Sequence, residues 1–339
     1  MFTIPIVTTL TGRYEFELID AKTKQVLNTW QSNNIITDGG MNAIGTSLAG
    51  EDFIFEFFQV GEGSTPVSSS DTGLASPIAG RINTSDEADS YISGSDSTGS
   101  FWETTISRIF YEAQGNGNLT EIGAFTLSSG GRLTSRALIR DIGGSPVTIT
   151  KTSDNQLRVR YKFRMYLPNT DVSGTLFMAG TNYNYVLRPQ QILNALVWGY
   201  SPTFPSPTRN GGHFYELVRG NWTSFTNGAI AAPSGTLVNV TGSMSQGGTT
   251  SACSAVNLQG YVDNTFYRDI EFVFNPSVAN FGSAGIKTVK LQPVMISNQN
   301  IAGGDSTYQL EFTPPIPKTN TNTLTLRFRM GWGRTKIYE

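Results

Sequence analysis

The stretch Gln156-Leu-Arg-Val-Arg-Tyr-Lys-Phe-Arg-Met165 decides the fold class of this chain, because apolar and cationic residues alternate along it. The apolar positions are Leu157, Val159, Tyr161, Phe163 and Met165. The cationic positions are Arg158, Arg160, Lys162 and Arg164. A period of two is that of a β-strand with one face toward a core, and a slip by one residue would bury all of these cations. The sequence therefore predicts a strand with a fixed register and a cationic outer face.

Similar strand signals extend outward from this stretch. The segment 101–168 contains the turn 115–118 and the strands 119–125 and 133–139, at the spacing expected of a sandwich or barrel. Upstream, Thr-Asp-Gly-Gly at 37–40 is an N-terminal signal for a short helix over 41–48. These signals predict many short strands and little helix.

Parts of this pattern recur near the C-terminus. Phe101-Trp102 matches Phe266-Tyr267, and Phe-Arg-Met at 163–165 matches Phe-Arg-Met at 328–330, both at a spacing of 165 residues (266 − 101 and 328 − 163). The repeat predicts an all-β protein made of two β-sandwich, jelly-roll-like domains, a diverged duplication with a short helix in each. We place an N-terminal domain at 1–182, with a long polar loop at 68–100, and a C-terminal domain at 183–339, with its helix beginning near Pro189.

Composition excludes several classes of protein. Charged residues make up 15% of the 339 residues and the formal net charge is −2, which favours neither a nucleic-acid nor a membrane partner. No segment approaches the length of a spanning apolar helix, and the N-terminus lacks the basic start of a signal peptide, so we expect synthesis in a cytoplasm. A single cysteine, Cys253, excludes a disulfide framework, and we expect it to be a buried small residue.

The inventory of reactive residues predicts no catalytic, cofactor or metal site. His213 is the only histidine, and no His or Cys stands near it at metal-ligand spacing. Carboxylates cluster once, in the acidic tract 85–96, which is either a solvated loop or a site for a hard cation such as calcium.

Two groups of residues are candidate interaction sites. The cationic face of Arg158, Arg160, Lys162 and Arg164 is a solvated outer face, an interface strip that meets acidic residues of a partner subunit, or a nucleic-acid contact. The aromatic residues Trp198, Tyr200 and Trp222 lie in a Pro/Gly-rich stretch and serve core packing, a subunit interface or a surface glycan.

Several strings of the first half resemble tail-associated virion proteins of tailed bacteriophages. In chain order they are Ile-Thr-Asp-Gly-Gly at 36–40, Val-Gly-Glu-Gly-Ser-Thr-Pro at 60–66, Asp-Thr-Gly-Leu at 71–74 with Arg81 after it, Leu-Thr-Glu-Ile-Gly-Ala-Phe at 119–125, Leu-Thr-Ser-Arg-Ala-Leu-Ile at 133–139, and the string at 147–159. The resemblance implies a non-enzymatic virion component of the tail, collar, baseplate or fibre region. It further implies a symmetric homo-oligomer, a trimer or ring, that contacts other phage virion proteins.

Two other functions compete with this interpretation. The first is a receptor-binding fibre or capsid-decoration protein whose outer loops contact a host surface glycan. The second is a polysaccharide-degrading enzyme, which would need two carboxylates across a sugar cleft. Exposed aromatics at one end would indicate the former, and a cleft with paired carboxylates the latter.

Overall fold

The computed structural model describes residues 3–46, 54–78, 80–166, 170–189, 229–238, 246–291 and 308–335. In the first part of the chain the strands are β1 (Ile4–Asp20), β2 (Val26–Asn33), β3 (Ile35–Ile36), β4 (Phe57–Gly61), β5 (Ser90–Ser95), β6 (Ser100–Phe110), β7 (Gly117–Leu119), β8 (Glu121–Phe125), β9 (Leu133–Leu138), β10 (Ile149–Lys151) and β11 (Asn155–Tyr166). Helix α1 (Asp38–Gly45) lies between β3 and β4.

The second part of the chain adds further strands and a 3-10 helix at Gly282–Ala284. The strands are β12 (Val172–Met178), β13 (Thr181–Pro189), β14 (Ala229–Ala232), β15 (Ser251–Ala252), β16 (Ala255–Leu258), β17 (Tyr267–Phe274), β18 (Ile286–Leu291), β19 (Tyr308–Ile316) and β20 (Leu324–Arg334). The predicted all-β fold class is confirmed.

One sheet of eight strands, called here the long sheet, joins the two ends of the chain. Its order is β16-β17-β20-β1-β11-β6-β5, and β2 also pairs with β1. Strand β1 runs antiparallel to β11 over Thr9 to Asp20 and parallel to β20 over Ile4 to Leu10. The remaining sheets are a four-stranded sheet (β3-β9-β8-β4), a six-stranded sheet (β12-β13-β19-β18-β14-β15) and the pair β10-β7.

Aromatic side chains pack the long sheet against the four-stranded sheet. The ring of Phe58 on β4 lies edge-on to Tyr14 of β1 and Tyr161 of β11, with centroids 5.9 and 6.5 Å apart. The Tyr14 hydroxyl also meets the Ser135 hydroxyl of β9 at 2.5 Å. These contacts make the first part of the chain sandwich-like.

The strand order on the two sides of β1 corresponds. β5, β6 and β11 lie on one side of β1 and β16, β17 and β20 on the other, each set with its last strand innermost. The four-stranded order β3-β9-β8-β4 likewise corresponds to β13-β19-β18-β14 within the six-stranded sheet. The corresponding strands also follow the same order along the chain. This topology supports the predicted duplication, which stays an inference.

The predicted domains 1–182 and 183–339 share a sheet and a hydrophobic core. Strand β1 of the first pairs with β20 of the second, and one contiguous cluster of buried apolar residues contains Ile4, Phe58, Phe272 and Phe312. The predicted boundary also falls inside β13. Sequence period identifies strands but not their partners, so it did not predict this shared sheet. The division into two domains stays a prediction.

Helix α1 confirms the capping signal at Thr37, but it covers Asp38–Gly45 and so begins three residues before the predicted 41–48. The Thr37 hydroxyl accepts a hydrogen bond from the Gly40 backbone N–H at 3.2 Å, which satisfies a free donor of the first turn. A Cβ at Gly40 would collide with the backbone carbonyl of Thr134, because the helix start lies directly against β9. The second predicted helix does not begin at Pro189, which is the last residue of β13 and pairs with Tyr308; the residues that follow it, 190–228, lie outside the described ranges.

Replacing Gly40 with alanine should destabilise the fold by about 1–3 kcal/mol, because a backbone carbonyl must move to admit the methyl group. Gly73→Ala is the control, since a Cβ at Gly73 meets no atom within 4 Å. Urea unfolding of both variants is the measurement. Equal midpoints for the two would show that the close approach is absent.

Of two further expectations, the structure confirms one and corrects the other. Cys253 is buried, as predicted, where the chain passes from β15 to β16. The polar tract 68–100 is not loop throughout, because residues 90–95 form β5 on the edge of the long sheet. Its Ser-Tyr-Ile-Ser-Gly-Ser sequence gives little strand signal, so this pairing could not be predicted.

Candidate functional site

The cationic residues of β11 lie on the face of the long sheet that points away from the core. The alternating apolar residues Leu157, Val159, Tyr161, Phe163 and Met165 are all buried, which confirms the predicted register. The cationic side chains keep between 10% and 24% of their surface exposed. This face, with the residues that cover it, is called here the charged face.

Arg158 and Arg160 each pair with carboxylates from two different segments of the chain. Glu17 on β1 accepts from Arg158 Nη1 at 2.6 Å and from Arg160 Nη1 at 2.7 Å. From the opposite side, Asp86 pairs with Arg158 at 2.5 Å and Glu87 pairs with Arg160. Each guanidinium therefore bridges a strand carboxylate and a carboxylate of the acidic tract.

The pattern continues along the strand. Lys162 Nζ lies 2.8 Å from Glu15 of β1. Arg164 donates to Glu103 of β6 at 2.7 Å and to Asp96 at 2.7 Å. Its guanidinium carbon also lies 3.7 Å from the centre of the Phe101 ring, within the range of a cation–π contact.

These contacts lower the pKa of the carboxyl groups that cover β11. Hydrogen bonds from Arg158 and Arg160 lower the pKa of Asp86 and Glu87, respectively. Burial raises the pKa of Asp96, but hydrogen bonds from Tyr166 and from the backbone N–H groups of Thr98 and Gly99, with the Arg164 charge, outweigh it and lower that pKa. All three carboxyl groups are therefore held ionised near neutral pH.

The charged face is thus satisfied within one chain. The acidic tract 85–96, called here the strap, supplies Asp86, Glu87 and Asp96 to the arginines of β11. From the sequence, the tract is predicted to be a solvated loop or a cation site, and the arginines are predicted to form a separate strip. Each of these strap carboxylates pairs with an arginine of β11, and Asp96 also accepts from Tyr166. The interface role of Arg158, Arg160, Lys162 and Arg164 stays a prediction.

Acid should release the strap before it unfolds the sheet. A carboxyl whose pKa is lowered by folding stabilises the folded state above its unfolded pKa of about 4, and this contribution is lost as the pH falls through the folded pKa. We expect amide protection, corrected for intrinsic exchange, to fall in residues 85–96 between about pH 7 and about pH 3. The amides of β11 are the internal control. A strap as protected as β11 at the lower pH would contradict the ion-pair account.

A second arginine–carboxylate–aromatic group occurs on the other side of β1. Arg329 of β20 pairs with Asp269 of β17 at 2.8 Å and lies 3.8 Å from the Tyr267 ring centre, and Arg327 pairs with Glu271. Glu103 stands two residues after Phe101, and Asp269 two after Tyr267. Arg164 and Arg329 therefore correspond at a spacing of 165 residues, whereas Glu103 and Asp269 correspond at 166, so the sequence match of 101–102 with 266–267 is one residue out of the structural register.

A buried ion-pair network lies on the four-stranded sheet. Arg136 of β9 donates to Glu121 of β8 at 2.7 Å and to Asp71 at 2.7 Å, and the Arg136 and Glu121 side chains are 2% and 0% exposed. Glu121 also accepts from the backbone N–H groups of Gly63, Ala75 and Ser76, at 3.1, 3.1 and 2.7 Å. One carboxylate thereby fixes two β-strands and the loop at 61–76.

This network unites the strings that carry the phage resemblance. Gly63 belongs to the string at 60–66, Asp71 to 71–74, Glu121 to 119–125 and Arg136 to 133–139. A Cβ at Gly63 would collide with the Glu121 carboxylate, so glycine is required there.

Arg81, which follows the string at 71–74, and one further string, at 36–40, contact the same unit. Arg81 lies 3.6 Å from the centre of the Phe125 ring, and the Thr37 hydroxyl donates to the Leu133 carbonyl. The contacts described here for these strings are hydrogen bonds, ion pairs and ring contacts within the chain.

Sequence reasoning missed a pair of buried lysines in corresponding places. Lys151 Nζ donates to the carbonyl of Tyr111, the residue after β6, at 2.9 Å and to Asn116 Oδ1 at 2.8 Å. Lys318 Nζ donates to the carbonyl of Asn275, the residue after β17, at 2.7 Å and to Asn280 Oδ1 at 3.0 Å. Burial of a charge requires such partners. Lysine followed by threonine occurs at both positions, 151–152 and 318–319, but also at 22–23 and 287–288, so the sequence carries no specific signal for these lysines.

Other candidate residues fall outside the described ranges. These are Trp198, Tyr200, Trp222 and His213. Within the described ranges, no group of three or more His, Cys, Asp or Glu is placed to hold a metal ion. None of the helices described is long and apolar enough to cross a membrane.

Fold and site together define an all-β protein whose polar residues form internal charge networks. No protein-family model, curated protein or solved structure matches this chain.

Proposed function

We propose that this chain is a non-enzymatic structural protein of a tailed-bacteriophage virion, in the tail, collar, baseplate or fibre region. It assembles there as a symmetric homo-oligomer, a trimer or ring, and docks to other virion proteins. The observation that carries the proposal is the convergence of four of the resembling strings, at 60–66, 71–74, 119–125 and 133–139, on the Glu121–Arg136–Asp71 network. Strings that lie far apart in sequence build one compact unit, so their resemblance is that of a shared fold unit.

The described polar residues of this unit support a structural role over a catalytic one. The Glu121 carboxylate accepts hydrogen bonds from Arg136 and from three backbone N–H groups. The arginines of the charged face pair with carboxylates of the same chain. Among the described residues, Ile142 and Phe177 are large apolar side chains that are 87% and 70% exposed.

Electron microscopy of particles decorated with an antibody fragment against this chain tests the position. We expect label at the tail, collar or baseplate, at a symmetric set of sites. Label over the capsid surface or at distal fibre ends would instead favour the decoration or receptor-binding alternative. Particles without label, under conditions in which the purified chain binds the fragment, would contradict the proposal.

A further inference from the structure

We propose that the charged face of β11 is a binding surface for an acidic extended segment of a partner protein, and that the strap is a displaceable cover for it. The inference does not rest on the proposed function, because it concerns contacts that the chain makes with itself.

Charge, more than apolar packing, holds the strap in place. Asp86, Glu87 and Asp96 pair with β11, and Asp89 pairs with Arg108 at 3.1 Å. None of the strap side chains that the structure describes is buried, and Ile92 is 55% exposed. Edge strands with short polar sequences and few buried contacts open at low free-energy cost. The strap has these properties.

Lifting the strap would leave a cationic surface. The cations of the face are Arg13, Arg158, Arg160, Lys162 and Arg164. The carboxylates that remain on the strands are Glu15, Glu17 and Glu103. Five cations against three carboxylates give an excess of two positive charges, 5 − 3 = 2. An arginine guanidinium can donate two parallel hydrogen bonds to one carboxylate. The uncovered face therefore fits an acidic peptide.

The backbone also defines how such a peptide would bind. Strand β5 pairs with β6 over Ser90 to Ser95, so its removal exposes the backbone N–H and C=O groups along that side of β6. An incoming extended segment can add to such an edge. A segment that resembles the strap, with carboxylates before and after a short strand, would satisfy both the edge and the arginines.

The test compares peptide binding to the full chain with and without the strap charges. The variant is Asp86→Asn, Glu87→Gln and Asp96→Asn combined; Asn at 96 keeps the Oδ1 acceptor for the Thr98 N–H. The probe is a fluorescent synthetic peptide of residues 83–98, measured by anisotropy. We expect the variant to bind it at least about tenfold more tightly than the wild-type chain, with affinity that falls as salt rises.

Two controls separate this surface from general charge attraction. The same peptide with its three carboxylates replaced by amides should not bind. A chain carrying Asp269→Asn and Glu271→Gln removes the strand carboxylates that pair with Arg329 and Arg327. The ion pairs described for these two arginines include no loop carboxylate, so this chain should gain no peptide binding. Equal binding by both variants, or by an oligothymidylate of equal charge, would overturn the assignment to an acidic peptide. Failure of the strap variant to bind more tightly than wild type would overturn the displaceable cover.

Discussion

Replacing Arg136 with methionine should lower the free energy of unfolding by about 3–5 kcal/mol, because it leaves one fully buried and one partly buried carboxylate without their cation. Glu121 is fully buried, and its neighbour Asp71 is partly buried. The measurement is urea unfolding of both proteins, or soluble yield if the variant does not fold.

Arg327→Met is the matched control for Arg136→Met. Arg327 also pairs with a strand carboxylate, Glu271, but its side chain is 27% exposed. Glu271 keeps 12% of its side chain exposed and Glu121 keeps none, so this variant should lose clearly less stability than Arg136→Met. If both substitutions cost the same, the Glu121–Arg136–Asp71 network is not the determinant that holds the resembling strings together.

Replacing Tyr161 with aspartate should prevent folding of soluble protein. The side chain is fully buried, and its ring centroid lies 4.7 Å from those of Tyr14 and Phe55. An isolated carboxylate there has no cation among these neighbours, and the aromatic packing is lost. We expect a loss of stability of about 4–5 kcal/mol or more, which is larger than most single substitutions cause.

Tyr161→Phe keeps the ring and tests the hydroxyl alone. The Tyr161 oxygen accepts from Asn34 Nδ2 at 3.1 Å, and loss of that acceptor should cost about 1–3 kcal/mol while the fold persists. Soluble expression and thermal unfolding distinguish the variants. An aspartate variant that folds like wild type would show that the register of β11 is wrong.

Local features were predictable from the sequence. The period of two gave the register of β11, and Thr-Asp-Gly-Gly at 37–40 gave the start of α1, because both signals depend on neighbouring residues. The buried position of Cys253 followed from its chemistry alone.

Partners across the chain were not predictable in this way. Glu17 stands 141 residues before Arg158, and Asp86 stands 72 before it, so no periodic signal links them. The cations and the acidic tract were each recognised, yet their pairing required the fold. The shared long sheet was missed for the same reason, since nothing in β1 or β20 taken alone specifies a parallel neighbour.

Peptide mass spectrometry of gradient-purified phage particles tests whether this chain is a virion component. We expect peptides from both parts of the chain, in a fixed molar ratio to the other tail proteins that persists through repeated purification. Absence of the chain from infectious particles, with abundance only in the lysate of infected cells, would contradict it.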